Sequence, residues 1–408
     1  MEKKNVWTVY DKKMKKEVDA FGKAYCNFLD NGKTERECID QIVNRIEKEG
    51  YMELSQLVKE NKKLQAGDKV YSVCMNKSIV MYQIGKRSMV EGMNILGAHL
   101  DSPRLDVKQN PLYEDSGIAY LDTHYYGGVK KYQWVTLPLA LHGVIVKKDG
   151  TTIEVNIGED EDDPVFFISD LLIHLAAEQM EKKAAKVIEG EALDIIVGNM
   201  PFIDKDNEKE EKEAVKKNVL QILKDMYGVE EEDFISAEIE VVPAGKAREA
   251  GFDRSMILAY GQDDRVCAYT SLRAMMDLEN VKTTAVCLLT DKEETGSDGN
   301  TGLCSSYLKY FFDDIACDTE GSKTRGTVIL SNSECLSADV NAAFDPTFPS
   351  VVEKKNTAYL YYRHSKIRPH RSCPFPNLPR RTTHYYLCEQ SETARYLFLI
   401  CRVFFLKL

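Results

Sequence analysis

Four short apolar runs in this chain each stop at a cluster of side chains that can bind metal or move protons. Ile95-Leu96-Gly97-Ala98 leads into His99-Leu100-Asp101, and Leu258-Ala259-Tyr260-Gly261 leads into Asp263-Asp264. Cys287-Leu288-Leu289-Thr290 leads into Asp291-Lys292-Glu293-Glu294, and Val328 to Leu330 is followed by Ser337-Ala338-Asp339. Short continuous apolar runs read as strands buried on both faces. Strands that alternate with amphipathic segments predict an α/β fold, built on a mainly parallel sheet with helices on its faces. In such sheets functional groups gather at the carboxyl ends of the strands.

The flanking sequence fits that architecture. Residues 11–50 predict two helices, with Val18, Phe21, Ala24, Tyr25 and Phe28, then Cys38, Ile39, Ile42 and Ile46, at helical spacing. Strands are expected at Val70 to Cys74, Ser78 to Ile84, Met93 to Ala98, Met256 to Gly261, Thr283 to Thr290 and Gly326 to Leu330. Helices are expected at Asp263 to Asp277 and Thr301 to Phe312. Between Arg104 and Val242 the character changes. Leu139 to Val146 and Thr152 to Ile157 alternate like strands around a Lys-Lys-Asp-Gly turn. Pro164 to Met180 reads as a helix, Asp204 to Lys217 as a solvated charge run, and Ala237 to Val242 as a further strand. This block reads as an inserted β-rich domain.

The polar inventory is one histidine with several carboxylates, a donor set that suits Zn²⁺, and two such ions can share a bridging carboxylate. In H-x-D, the aspartate can accept the ligating ring's other N–H and fix its tautomer. Of two adjacent glutamates, one can ligate while the other acts as general base. Each cluster alone also has a plainer reading: an incidental H-x-D, helix capping by Asp263-Asp264, solvated charge at Glu293-Glu294. On these grounds a metal hydrolase and an undefined α/β protein both stand.

Local sequence separates them. Gly97 to Asp106 (GAHLDSPRLD), Thr123 to Gly128 (THYYGG), Gly261 to Val266 (GQDDRV), Asp291 to Ser297 (DKEETGS) and Ser337 to Ala343 (SADVNAA) resemble, in order, the aspartyl aminopeptidase family of dinuclear zinc aminopeptidases. The resemblance covers roughly Met1 to Leu360. It implies an α/β metallopeptidase domain in two parts (1–103 and 246–360) around an inserted dimerisation domain (104–245). His99, Asp264, Glu294 and Asp339 would bind two zinc ions, with Asp264 bridging. Asp101 would orient His99, and Glu293 would take a proton from the attacking water. His174 resembles a histidine that crosses to a neighbouring subunit's active site, although a buried helix histidine is the alternative. The family assembles through dimers into a dodecamer, and its name implies Asp or Glu as the residue removed from peptide substrates.

Composition bears on partners and on the end of the chain. The net charge of −11 argues against nucleic acid as a partner. No apolar run approaches the ~20 residues of a membrane span. With 11 cysteines, no C-x-x-C pair and no apolar N-terminal segment, a cytoplasmic protein with reduced thiols is expected. From Tyr361 to Leu408, however, there are nine basic and two acidic residues and none of the 24 glycines. The family's second zinc-ligating histidine, in a Gly-, Ser- and Met-containing segment, has no counterpart there. The expectation is a frameshifted or mis-spliced tail over 361–408 and an impaired second zinc site. The alternative to an active enzyme is a catalytically dead or weakened fragment, or a subunit that serves assembly alone.

Overall fold

The computed structural model describes residues 5–60, 62–203, 212–321, 325–340, 343–355 and 357–359. The expected tail over 361–408, and residues 204–211 of the charge run, lie outside these. Two compact units form, one from the residues up to Ser102 with those from Ala247 on, the other from Pro103–Lys246.

The first unit is built on a six-stranded sheet. Its order is Met52–Glu53, Lys69–Cys74, Ser78–Gln83, Ala285–Thr290, Asn94–His99, Glu334–Ser337. Asn94–His99 pairs in parallel with both of its neighbours, while Ser78–Gln83 runs antiparallel to its two. The alternation of side chains explains why Ser78–Gln83 and Ala285–Thr290 are buried at every position. Ile79, Met81, Cys287 and Leu289 face a core with Phe21, Tyr25, Phe28, Ile39, Ile42 and Leu272. Val80, Tyr82, Val286 and Leu288 face a second core with Leu308, Phe311, Phe312 and Ile315.

The helices on the first face begin where side chains satisfy their free N–H groups. Asp11 accepts from Met14 N at the start of Lys12–Asp30. Thr34 and Glu37 form a reciprocal capping box at the start of Glu35–Ile46. Residues Cys38, Ile39, Ile42 and Ile46 then all reach the core.

Four expectations need correction. The strand expected at Met256 to Gly261 spans only Met256–Leu258 and pairs with Arg248–Ala250 outside the six-stranded sheet, and the helix expected at Thr301 to Phe312 spans Ser306–Glu320. Gly326–Asn332 is a helix, not a strand, and the edge strand is Glu334–Ser337. A short apolar run has no periodicity to distinguish the two, and Asp313 Oδ1 holds the Gly326 N–H at 2.7 Å at the start of the turn. Pro164 to Met180 is not one helix. Only Ala177–Glu181 is helical, and Phe166 and Phe167 form bridges to Leu139 and Ile196. Val165-Phe166-Phe167-Ile168 is β-branched and aromatic, a composition that favours pairing over a helix.

The second unit is a six-stranded antiparallel sheet. Its order is Thr152–Ile157, Leu139–Val146, Ala237–Pro243, Arg104–Asp115, Ile118–Tyr126, Ile195–Gly198. Its core includes Leu105, Leu121, Trp134, Leu141, Phe234 and Val241. Gly143 sits at φ +146, where an added Cβ would lie 1.9 Å from Glu238 O on the paired strand. Only glycine fits so close an approach. His142 is buried with Nε2 3.3 Å from Glu159, a structural pairing. Among the described residues no helix is long and apolar enough to cross a membrane.

Removing the Thr34 cap has a measurable cost. Thr34→Ala should lower unfolding stability by about 1 kcal/mol and Thr34→Ser by much less, as read from denaturant melts.

Candidate metal centre

His99 is the last residue of its strand, and the chain turns sharply after it. Leu100 N donates to Thr290 O at 2.8 Å, which ties this turn to the end of the neighbouring strand. The His99 imidazole is 3% exposed. Its Nδ1 lies 3.0 Å from the Asp101 backbone oxygen and 3.3 Å from Asp101 Oδ1. The other nitrogen, Nε2, has no hydrogen-bond partner. It faces three carboxylates: Asp263 Oδ1 at 3.5 Å, Glu293 Oε2 at 3.7 Å and Asp339 Oδ1 at 4.0 Å.

Asp101 is fully buried and joins two segments. Beyond its contact with His99, Oδ1 accepts from Glu293 N and Oδ2 from Glu294 N, each at 3.2 Å. One carboxylate thus sets both the imidazole and the backbone that carries Glu293. The same loop is held from below by Asp291. That carboxylate accepts from Lys292 N at 2.7 Å and from Thr301 Oγ1 at 2.6 Å, while Asp291 N donates to Ser78 Oγ. Lys292 takes a left-handed conformation, and a single 3-10 turn over Glu293–Thr295 follows.

The Asp263-Asp264 pair divides in a way its sequence does not show. Gly261 is left-handed at φ +79, and both aspartates are non-helical ahead of the regular helix, with a cis peptide between them. Ser102 Oγ donates to Asp263 O at 2.6 Å. Asp263 offers its carboxylate to His99. Asp264 turns into the protein, 0% exposed, beside the Cys267 thiol. The carboxylate that faces His99 is therefore that of Asp263, and not that of Asp264, the one expected to bind metal. The two residues differ in backbone conformation, Asp263 at φ -88, ψ 106 and Asp264 at φ -119, ψ 27, and their side chains take different directions.

Potential metal-binding atoms of His99, Asp263 and Asp339 all lie within 4.8 Å of one another. Glu294 is not in that group, although its backbone is anchored beside it. Asp339 reaches the site from the end of Glu334–Ser337, not from the Val328–Leu330 segment. His174 lies in the second unit and is exposed, not buried in a helix.

The electrostatics favour binding of a cation. Burial pulls the His99 pKa down, but the bond to Asp101 and the carboxylates of Asp263 and Asp264 outweigh it and hold the ring well above the ordinary histidine value. Burial raises Glu293, and His99 opposes that. Burial raises Asp264 well above the carboxylate range, against the pull of His99. Several acidic groups around one imidazole are mutually unfavourable unless a positive charge sits among them. An orphaned buried imidazole nitrogen facing Asp263 and Asp339 is a donor set that zinc accepts.

Fold and site together define a zinc metalloaminopeptidase of the α/β type. The model of the Aminopeptidase I zinc metalloprotease (M18) family matches residues 28–363, and the chain belongs to that family. A probable M18 family aminopeptidase 1 from Clostridium acetobutylicum is 55% identical over 362 residues, 88% of this chain and 77% of the relative. One from Thermotoga maritima is 44% identical over 366 residues, 89% of this chain and 77% of the relative. The crystal structure of the Thermotoga maritima M18 aminopeptidase superposes with a TM-score of 0.80 at 44% identity, covering 89% of this chain and 77% of that one. That of aminopeptidase I from Clostridium acetobutylicum gives 0.79 at 54%, covering 88% and 77%. The S. cerevisiae mApe1 dodecamer shares the fold at 20% identity, with a TM-score of 0.64, covering 83% and 76%.

The division within the aspartate pair can be tested. Asp263→Asn should weaken zinc binding by more than about tenfold, the loss that even an outer-sphere partner produces. Asp264→Asn should leave it within about threefold. Zinc retained after dialysis against a graded chelator reads both.

Proposed function

We propose that this enzyme removes single residues from the N-termini of peptides, with His99, Asp263 and Asp339 holding zinc and Glu293 acting as general base. The observation that carries this reading is the meeting of the first three within 4.8 Å, with Glu293 Oε2 3.7 Å from the same imidazole nitrogen. Zinc in such a site polarises the scissile carbonyl and acidifies water. Asp101 keeps the His99 ring in one orientation, with Nδ1 toward Asp101 and Nε2 toward the metal. Glu293 is half exposed, so it reaches the solvent side of the site and can take a proton and return it to the leaving amine. Its raised pKa suits a group that must both accept and release a proton. The free α-amine of the peptide carries a positive charge that Asp339, also half exposed, can meet.

A second zinc ion would take Asp263 as the shared carboxylate and Glu294 as a further ligand. Homo-oligomers are proposed through the second unit. Leu172, Ile173 and Leu175 beside His174 are 70%, 67% and 71% exposed, and an apolar run this open calls for cover. A reducing, cytoplasmic setting is part of the same proposal; the eight described cysteines form no disulfide with one another.

Two measurements test the reading. Glu293→Gln should lower kcat by about 10²- to 10⁴-fold with little change in KM. Peptides with a free N-terminus should be cleaved and their N-acetylated forms left intact. If His174 acts in a neighbouring subunit, His174→Ala keeps its zinc yet loses activity about tenfold or more. Co-assembly of H174A with E293Q chains then restores part of that activity.

A further inference from the structure

Arg265 is one of the largest side chains in the molecule to be fully buried, at 1% exposure. A guanidinium in a protein interior stays charged and must be hydrogen-bonded. Its Nε donates to Leu100 O at 3.1 Å and its Nη2 to Lys33 O at 2.9 Å. The Tyr260 ring lies 5.3 Å from the guanidinium carbon.

The two carbonyls matter because of where they sit. Leu100 is the residue between His99 and Asp101, and its own N–H is already held by Thr290 O. Its peptide groups are therefore gripped from both sides: one strand end holds the N–H, and Arg265 holds the oxygen. Lys33 immediately precedes the capping residue Thr34. Arg265 itself comes two residues after Asp263, in the first regular turn of that helix, with its N–H on Gly261 O at 3.3 Å. Gly261 leaves the space the guanidinium occupies, since a Cβ there would lie 2.1 Å from Nη1.

We infer that Arg265 is a positioning residue of the metal centre, clamping the His99–Asp101 turn to the segment that presents Asp263. The inference rests on reading His99, Asp263 and Asp339 as the zinc-binding group. Arg265 touches neither substrate nor metal. It sets the spacing between two ligands that come from distant parts of the sequence, and its planar fork bridges two carbonyls that a single ammonium cannot.

The test is zinc affinity of the full metal-free chain, measured by competition with a chromophoric chelator, with circular dichroism and thermal melts confirming the fold. Arg265→Met should weaken zinc binding by about 10- to 100-fold, as loss of an outer-sphere partner does. Arg265→Lys should fall between it and the wild type. Gly261→Ala keeps the arginine but pushes against its guanidinium, and should weaken binding in the same direction; it carries the test with Arg265→Lys if Arg265→Met does not fold. Ile315→Val, in the opposite core, controls for plain loss of stability and should lower the melting temperature with unchanged zinc affinity. Folded Arg265 variants that bind zinc within about twofold of the wild type, while His99→Ala does not bind it, would overturn this inference alone. A wild-type chain that takes up no zinc would overturn the metal reading itself, and this inference with it.

Discussion

The carboxylate of Asp101 is the point on which the site depends. It is fully buried and meets His99 on one side and the backbone N–H groups of Glu293 and Glu294 on the other. A buried charge is tolerated only when its lone pairs are satisfied. Here they are satisfied by the His99 ring and by the turn that carries Glu293 and Glu294. The cost of burying Asp101 is thereby converted into rigidity of the centre.

The sheet makes that arrangement possible. Asn94–His99 and Ala285–Thr290 run parallel and in register, with Thr290 opposite His99. Their carboxyl ends open on the same edge, and Glu334–Ser337 brings Asp339 to it from the other side. Ala285–Thr290 is buried at every position, so its carboxyl end is the first place where polar groups can emerge. The strand ends supply His99 and Asp339, while Asp263 comes from the irregular start of a helix. That start is shaped by the left-handed Gly261 and secured by Ser102.

Much of this was legible in the residues. The strands at Asn94–His99 and Ala285–Thr290 follow from apolar runs bounded by polar clusters, and the two N-terminal helices follow from their spacing. His99, Asp101, Glu293 and Asp339 stand out because their residue types suit zinc chemistry and follow predicted strands. The helix at Gly326–Asn332 was not legible, since a run so short fits either periodicity. Nor was the open segment around His174, where helical spacing coexists with residues that prefer to pair.

By itself the sequence determined the fold class, the family and the set of chemical groups, because these depend on local composition and on the order of motifs along the chain. Only the tertiary structure decided which of two neighbouring aspartates faces His99, and that Arg265 reaches back to the Leu100 carbonyl. Both depend on backbone direction at one non-helical turn and on the approach of residues more than 150 positions apart. The direction of a side chain at such a turn is set by what packs around it, and no spacing along the chain records that.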